Sequence, residues 1–243
     1  MLKRPPCILG GWAVYIIVNE SFARSMGRNY LGSRDIDLGF HIDANASTED
    51  LKKSDFVAAV NALKSDGFEP VGYRLVKHFD IDTRKELTPE QAKQKPSYDL
   101  FEVYVDPIVD SIPSNARATF GFVPIDEPVL SYVFQPTGGQ SIQIFGKTVI
   151  LPLPHLLLAT KFRSIPHRDR EHKMIKDLAD IYALAWHSPI RLDSLRQQIE
   201  PIVNKEERKK VLLDVKPEHV DFVSQATGVD TNEIKKVLAE LMK

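Results

Sequence analysis

The chain has 243 residues, of which 43% are apolar and 27% are charged, a composition typical of a globular protein that can bury a core. It excludes a wholly disordered chain, a collagen-like repeat and a disulfide-stapled scaffold. Lysine and arginine number 32 against 33 aspartates and glutamates, so the overall charge indicates no polyanionic partner for the whole molecule. The single cysteine, Cys7, cannot form an internal disulfide, and we therefore expect a reducing, cytoplasmic location.

The first predicted elements lie in an apolar segment near the N-terminus. Two basic residues precede an apolar run at residues 7–18, in the order of a secretory signal peptide. Two adjacent glycines interrupt the run, which is also shorter than the roughly 20 apolar residues that cross a bilayer. We therefore prefer a short strand at residues 8–9, a turn at Gly10-Gly11 and a buried helix over residues 12–26, with no membrane partner.

Strands and helices alternate from there to about residue 150. Residue alternation, caps and turn residues predict the following elements: strands at 34–42, 71–76 and 99–105, a helix at 49–66, a polar loop at 80–97, a hairpin joining 132–134 to 142–145, and a turn at Gly146-Lys147 into a strand at 148–151. Pro107 is expected to limit the strand at 99–105, because proline cannot donate to a sheet ladder.

Helical periodicity dominates beyond Pro152. The predicted helices cover residues 153–165, 169–187, 191–200, 204–213, 217–225 and 230–242. We therefore predict an α/β (α+β) domain over residues 1–150, with a small mixed sheet, and a helical C-terminal domain over residues 151–243.

The most informative segment is the strand that carries Asp35 and Asp37. On a strand these two carboxylates point to the same side, while Ile36 and Leu38 point into the core. Adjacent carboxylates repel each other unless a cation lies between them, and Mg²⁺ prefers such oxygen ligands. Gly39 is expected to leave room beside the metal. The alternative is an exposed strand face whose acids pair with neighbouring arginines.

Candidate phosphate ligands lie close to this strand in the sequence. Gly10 and Gly11 form a turn into a helix, where free backbone N–H groups favour a phosphate. Ser33 and Arg34 directly precede the first carboxylate and supply a hydroxyl and a guanidinium. We predict that these four residues bind a phosphate group, which the family resemblance described next implies to be that of a nucleotide.

The sequence resembles the signature of the DNA polymerase β-like nucleotidyltransferase superfamily. The resemblance lies in Gly10-Gly11, followed by a helix and then by Gly-Ser-Arg-Asp-Ile-Asp-Leu at residues 32–38. Within the superfamily, the arrangement is most similar to that of the AbiEii-type abortive-infection toxins. The resemblance implies a nucleotidyltransferase-like small mixed sheet flanked by helices. It also implies transfer of a nucleoside monophosphate from an NTP to an acceptor hydroxyl through Mg²⁺ or Mn²⁺. The implied acceptor is an RNA such as tRNA, with a protein or an aminoglycoside-like molecule as the alternatives, and the implied protein partner is a cognate antitoxin.

Enzymes of this superfamily use a third carboxylate on a neighbouring strand. The resemblance favours Asp106, because it follows an apolar residue and precedes an apolar pair, and Glu102 is the alternative. Asp35, Asp37 and Asp106 are then the implied catalytic residues and metal ligands. A solvent-facing acid at a strand end is the structural alternative for either Glu102 or Asp106.

A lysine and a Lys-Asp-x-x-Asp element after the strands also resemble the AbiEii-type pattern. The resemblance assigns Lys161 to the NTP phosphates and Asp177 to a polar partner near the nucleotide. Residues 161–176 hold six basic residues against two acids, which suits a polyphosphate. Lys161→Ala is therefore expected to weaken NTP use more than it lowers the melting temperature. The residues alone also fit a helix with a core stripe and a solvated, ion-paired face.

Three functions follow from these patterns. The first is a Mg²⁺-dependent nucleotidyltransferase. The second is a catalytically inactive nucleotide-binding module of a paired, toxin–antitoxin-like or regulatory system, which loss of the third carboxylate would indicate. The third is DNA-binding regulation by the short helices of residues 201–243, although the sign-mixed charges at 205–210 favour a solvated helix.

Overall fold

The computed structural model describes residues 2–243, and these divide into two compact units. Unit 1 contains the residues up to Leu9 and Ser33–Leu151, and unit 2 contains Gly10–Gly32 and Pro152–Lys243. The sequence predicts one domain boundary near residue 150, which would place residues 10–32 in the same domain as the sheet. In the structure, the contacts of residues 10–32 group them with the C-terminal helices. The helix in this segment buries one apolar side, which packs on those helices.

The strands of the described chain form one mixed sheet. They are β1 (Cys7–Ile8), β2 (Asp35–Phe40), β3 (Glu69–Val71), β4 (Arg74–Asp80), β5 (Glu86–Leu87), β6 (Leu100–Val109), β7 (Ile125–Asp126), β8 (Gly139–Ile144) and β9 (Lys147–Pro152). The main order is β3-β4-β6-β2-β1-β9-β8, with β5 beside β4 and β7 beside β6. The pair β2–β6 is parallel, whereas β4–β6 and β1–β2 are antiparallel. The mixed sheet with its helices confirms the predicted fold class.

Short helices connect the strands of unit 1. They are α2 (Thr48–Lys52), α3 (Asp55–Ser65), α4 (Pro89–Lys93), α5 (Ala116–Phe120) and α6 (Leu130–Val133). The single helix predicted over 49–66 is divided between α2 and α3, because the Ser54 hydroxyl accepts the N–H of Val57 as an N-cap and donates to the carbonyl of Leu51. Apolar residues of α2 and α3, such as Leu51 and Phe56, pack with Phe40 and form the core on one face of the sheet.

Strand β6 continues through Pro107, so the expected limit at this residue is wrong. The ladder with β4 ends at the pair Leu75–Val105, and the ladder with β7 begins at Ile108. Pro107 therefore lies between these two ladders, where this edge of β6 has no partner strand. On this edge, the lack of an N–H group in proline costs no hydrogen bond of the sheet.

The hairpin near residue 140 also differs from the prediction. Residues 130–133 form helix α6 rather than a strand. The hairpin is formed by β8 and β9, with its turn at Phe145-Gly146, next to the turn predicted at Gly146-Lys147. Both turn residues have positive φ, 48° and 72°, as in a type I′ hairpin turn. The Pro-Thr-Gly-Gly sequence forms the connection from α6 into β8.

The helices of unit 2 begin and end within about two residues of the predicted positions. They are α1 (Gly10–Met26), α7 (Pro154–Ser164), α8 (Glu171–His187), α9 (Leu192–Ile199), α10 (Lys205–Leu213), α11 (Pro217–Thr227) and α12 (Thr231–Leu241). Helix α8 is central, and α1, α7 and α11 pack on it. Among the residues that the structure describes, no helix combines the length and the apolar character needed to cross a bilayer.

Gly39 contacts two apolar side chains, so the expected space beside a metal is filled. A Cβ built at this position would lie 2.8 Å from Leu130 Cδ2 and 3.0 Å from Leu9 Cδ1. Both leucines are buried and have little freedom to move away. We expect Gly39→Ala to lower the free energy of unfolding by about 1–3 kcal/mol through overpacking, measured by urea denaturation. Gly32→Ala is the control, because its Cβ would meet nothing within 4 Å; equal losses in both variants would contradict this account.

Candidate active site

The three predicted carboxylates lie on one face of the sheet. Parallel strands β2 and β6 pair Asp37 with Asp106 and Asp35 with Tyr104, and residues paired across strands share a face. This face is opposite to the one that packs against α2 and α3, since Ile36 and Leu38 alternate with the two aspartates. Asp106 is 7% exposed, whereas Asp35 and Asp37 are half-buried. The fold therefore brings together carboxylates that are about 70 residues apart in the sequence.

A guanidinium that the sequence analysis missed lies within this acidic cluster. Arg74 begins β4 and donates from Nε to Asp106 Oδ1 at 2.8 Å and from Nη2 to Asp106 Oδ2 at 2.7 Å. Its Nη2 also lies 3.3 Å from Asp35 Oδ2, and the Tyr104 ring lies 4.4 Å from its Cζ. The hydrogen bonds to Asp106 raise the pKa of Arg74 above its already high ordinary value. Arg74 thus supplies the positive charge that adjacent carboxylates need.

The donor set around Arg74 also fits a divalent cation. Carboxylate oxygens from two neighbouring strands are the hard ligands that Mg²⁺ and Mn²⁺ prefer. The guanidinium of Arg74 occupies the position of a cation between Asp106 and Asp35. An ion bound by these oxygens would have to displace the bidentate contact of Arg74. The negative charge of these carboxylates can therefore be balanced either by Arg74 or by a divalent cation.

Glu102, the alternative third carboxylate, lies on the same face but further along β6. Its position pairs with His78 of β4, whose Nε2 is 3.3 Å from Glu102 Oε1. The Tyr104 hydroxyl donates to Glu102 Oε2 at 2.6 Å, and this bond raises the pKa of Tyr104 to about 12. Glu102 lies four residues from Asp106, about 13 Å at the usual strand rise. The register therefore puts Asp106, and not Glu102, opposite Asp37.

The predicted phosphate ligands are divided between the two units, whereas the three carboxylates all lie in unit 1. Ser33 is half-buried just before β2. The guanidinium carbon of Arg34 lies 5.8 Å from the centre of the Phe101 ring, and Phe101 alternates with Glu102 onto the other face of the sheet. Arg34 is therefore not brought to the carboxylates. Gly10 and Gly11 begin α1 in unit 2, where Gly10 has a φ of 59°.

Lys161 and Asp177 meet in the interior of unit 2. Lys161 Nζ lies 2.8 Å from both Asp177 Oδ1 and Asp180 Oδ2, and all three side chains are buried. Arg168 and Ser164 donate to Asp177. Burial alone would lower the pKa of Lys161, but the charges of Asp180 and Asp177 outweigh it and raise this pKa.

Asp180 has further donors in the same cluster. Lys176 donates to Asp180 Oδ1 at 2.7 Å, and the Tyr30 hydroxyl donates to it at 2.9 Å. A network in which the buried charges have opposite charges beside them stabilises a particular packing of helices. This setting favours a structural role for Lys161 and Asp177 over a role as nucleotide ligands.

Comparisons with known proteins give limited information. No protein-family model matches the sequence, and no curated protein matches it. Among solved structures, the chain is similar to an antigenic nucleotidyltransferase-like protein from Paracoccidioides brasiliensis, with 17% sequence identity and a TM-score of 0.37 over 85% of this chain and 83% of that chain. A similarity at this level assigns neither a family nor an activity, and the AbiEii-type subgroup stays a prediction.

Proposed function

We propose that this protein is a divalent-metal-dependent nucleotidyltransferase that transfers a nucleoside monophosphate from an NTP to an acceptor hydroxyl. One observation carries the proposal. Asp35, Asp37 and Asp106 share one sheet face, with Asp37 opposite Asp106 and a guanidinium bonded between Asp106 and Asp35. Acidic side chains concentrated in this way are typical of sites that handle phosphate groups through cations.

In this proposal, Asp35, Asp37 and Asp106 hold Mg²⁺ or Mn²⁺. An ion held there would supply positive charge to stabilise the attacking oxygen and the leaving pyrophosphate oxygen. A carboxylate oxygen of Asp106 accepts the proton of the acceptor hydroxyl, and the Ser33 hydroxyl donates to a phosphate oxygen. The N–H groups of Gly10 and Gly11 stay a prediction as further phosphate ligands.

We propose the acceptor and the biological partner from the sequence resemblance. An AbiEii-type relationship would make the acceptor an RNA such as tRNA, and a cognate antitoxin would bind the protein. The support for both lies in the residues at 10–11 and 32–38. Co-purification with RNA and labelling of a defined tRNA are the measurements that test the acceptor.

A direct transfer assay tests the proposed activity. The purified protein is incubated with total RNA, each α-phosphate-labelled NTP in turn, and either Mg²⁺ or Mn²⁺. We expect label to enter the RNA with at least one NTP, and we expect chelation of the metal with EDTA to abolish the transfer. Absence of label with all four NTPs and both metals, in a protein that binds NTP, would contradict transfer to RNA; absence of label also in protein and in an aminoglycoside added to the same assay would contradict the transferase and support the second function.

That second function is nucleotide binding without transfer, in a paired or regulatory system. The bidentate contact of Arg74 with Asp106 favours it, because a permanently paired Asp106 could neither bind a metal nor accept a proton. Calorimetric titration with a non-hydrolysable NTP, combined with the transfer assay on labelled NTPs, distinguishes this case, since the protein would then bind the analogue and transfer no label. This binding would also occur without dependence on Mg²⁺.

Competition between Arg74 and the metal gives a further prediction. Arg74→Gln removes a positive charge that contacts two of the proposed ligands, so we expect the affinity for Mn²⁺ to rise about tenfold, measured by electron paramagnetic resonance of free Mn²⁺. Lys77→Gln is the matched control, because Lys77 is a cation of the same strand that pairs with Asp66 and Glu86 instead. An unchanged or lower Mn²⁺ affinity in Arg74→Gln would count against a metal at these carboxylates.

A further inference from the structure

A pocket lies in unit 1, beyond the end of β2 and apart from the carboxylate cluster. The proposed transfer does not use it. It has a volume of about 240 Å³, and His41 and Phe134 form part of its wall. His41 follows Asp37 by four residues on the same side of the chain, and the position between them is Gly39, which Leu130 and Leu9 cover. These leucines separate the pocket from the carboxylate cluster.

A buried carboxylate fixes the histidine of this pocket. Asp110 is 7% exposed, its Oδ1 accepts the N–H of Ile42 at 2.8 Å, and its Oδ2 lies 2.5 Å from His41 Nδ1. Because a carboxylate only accepts, Nδ1 carries the proton of this bond, and Nε2 is the ring nitrogen left for a ligand. Nε2 can accept a hydrogen bond from a phosphate hydroxyl or, in the protonated ring, donate one to a phosphate oxygen. The imidazole is thus oriented as in sites that bind or protonate anions.

Three cationic side chains complete the lining. Lys3, Arg4 and Lys53 border the pocket, and within residues 2–243 none of these side chains forms an ion pair with a carboxylate. The two acids of the lining already have donors of their own. Asp55 accepts the backbone N–H groups of Lys3 and Arg4 at 2.6 and 3.0 Å, and Asp50 accepts the Ser47 hydroxyl at 2.5 Å.

The lining therefore holds three cations against the two carboxylates of Asp50 and Asp55, an excess of one positive charge. Its volume is below the 300–1,000 Å³ or so of pockets for drug-sized ligands, which points to a small ligand. The Phe134 ring, 5.9 Å from the His41 ring, offers an apolar surface beside the cations. A small ligand with one anionic end and one carbon-rich end matches this lining.

We propose that this pocket binds the phosphate monoester of a small molecule of sugar size. Lys3, Arg4 and Lys53 neutralise the phosphate, and His41 Nε2 hydrogen-bonds one of its oxygens. The carbon skeleton of the ester lies against Phe134. This site is separate from the proposed NTP site, and the proposal does not depend on nucleotidyl transfer.

Calorimetric titration with ribose 5-phosphate, at fixed ionic strength, tests this site. We expect binding of ribose 5-phosphate and none of ribose. His41→Gln and Lys53→Gln should each weaken it about tenfold, the loss of one charge-assisted hydrogen bond. Lys52→Gln is the matched control, because the neighbouring Lys52 pairs with Glu49 and does not line the pocket.

The same titrations can overturn the proposal. Failure of ribose 5-phosphate to bind, equal affinity for ribose, or equal weakening by Lys52→Gln and Lys53→Gln would each contradict a phosphate site here. Lys53 is exposed, so its variant tests the site even if His41→Gln disturbs the fold around Asp110. Mn²⁺ affinity, measured in parallel, should be unchanged in Lys53→Gln, which separates this site from the carboxylate cluster.

Discussion

Asp106→Asn is expected to lower nucleotidyl transfer by about 10²–10³-fold, the size of effect that follows when a metal or its charge stabilisation is lost from a transition state. Asparagine keeps the shape of the side chain and removes the charge that would hold the metal and accept the proton. The measurement is the rate of label transfer from NTP to acceptor at saturating Mg²⁺. Asp35→Asn should give a loss of the same order, because Asp35 shares the sheet face and the Arg74 contact.

Glu102→Gln is the control for this prediction. Glu102 is on the same strand and the same face as Asp106, but its contacts are with Tyr104 and His78. We expect Glu102→Gln to transfer nucleotide at a rate close to that of the unaltered protein. Normal transfer by Asp106→Asn together with loss in Glu102→Gln would reverse the assignment of the third carboxylate. Full activity in both variants would exclude a third carboxylate altogether.

The variants must be compared as folded proteins, because Asp106 also contributes to the local structure. Its two hydrogen bonds with Arg74 are largely buried, and their loss should lower stability by about 1–3 kcal/mol. Thermal unfolding of Asp106→Asn, measured alongside activity, therefore sets the assay temperature. A stability loss of this size without loss of transfer would assign Asp106 a structural role only.

Local signals predicted the helices of unit 2 and the strand of the aspartates. The Asn204 and Asp230 side chains accept backbone N–H groups at the starts of α10 and α12, and such caps can be read from a few residues. Strict alternation from Asp35 to Phe40 likewise predicted which side chains face the core. These features depend on interactions within one turn or one strand.

The remaining features depend on pairing between distant segments. Arg74 reaches Asp106 because β4 and β6 pair antiparallel with Leu75 opposite Val105, a register that the sequence around Arg74 does not encode. Pro107 was expected to limit β6 because proline excludes itself from most ladders, and only the ladder ends of β4 and β7 explain the exception. The Arg34 side chain was grouped with the site by sequence proximity, although strand alternation directs it away from Asp35.

The buried cluster around Lys161 leads to the last prediction. Lys161→Met is expected to lower the free energy of unfolding by about 1–3 kcal/mol, because it removes the buried cation between Asp177 and Asp180. These two carboxylates keep Arg168 and Lys176 as their other charged partners. This expectation reverses the one from sequence, in which NTP use suffers more than stability. Urea denaturation measures the effect, and Lys173→Met on α8, the helix of Asp177 and Asp180, is the control, with an expected change of about 0.5 kcal/mol or less.

A double variant tests whether Lys161 and Asp180 stabilise each other. Asp180→Asn, combined with Lys161→Met, removes one of the carboxylates that the lysine neutralises, so the double variant should lose less stability than the sum of the two single variants. Additive losses would instead indicate that Lys161 and Asp180 are not energetically coupled, so that the loss in Lys161→Met comes from other contacts such as that with Asp177. A Lys161→Met variant that is fully stable but binds NTP poorly would contradict the structural role. It would support the predicted contact of Lys161 with the NTP phosphates.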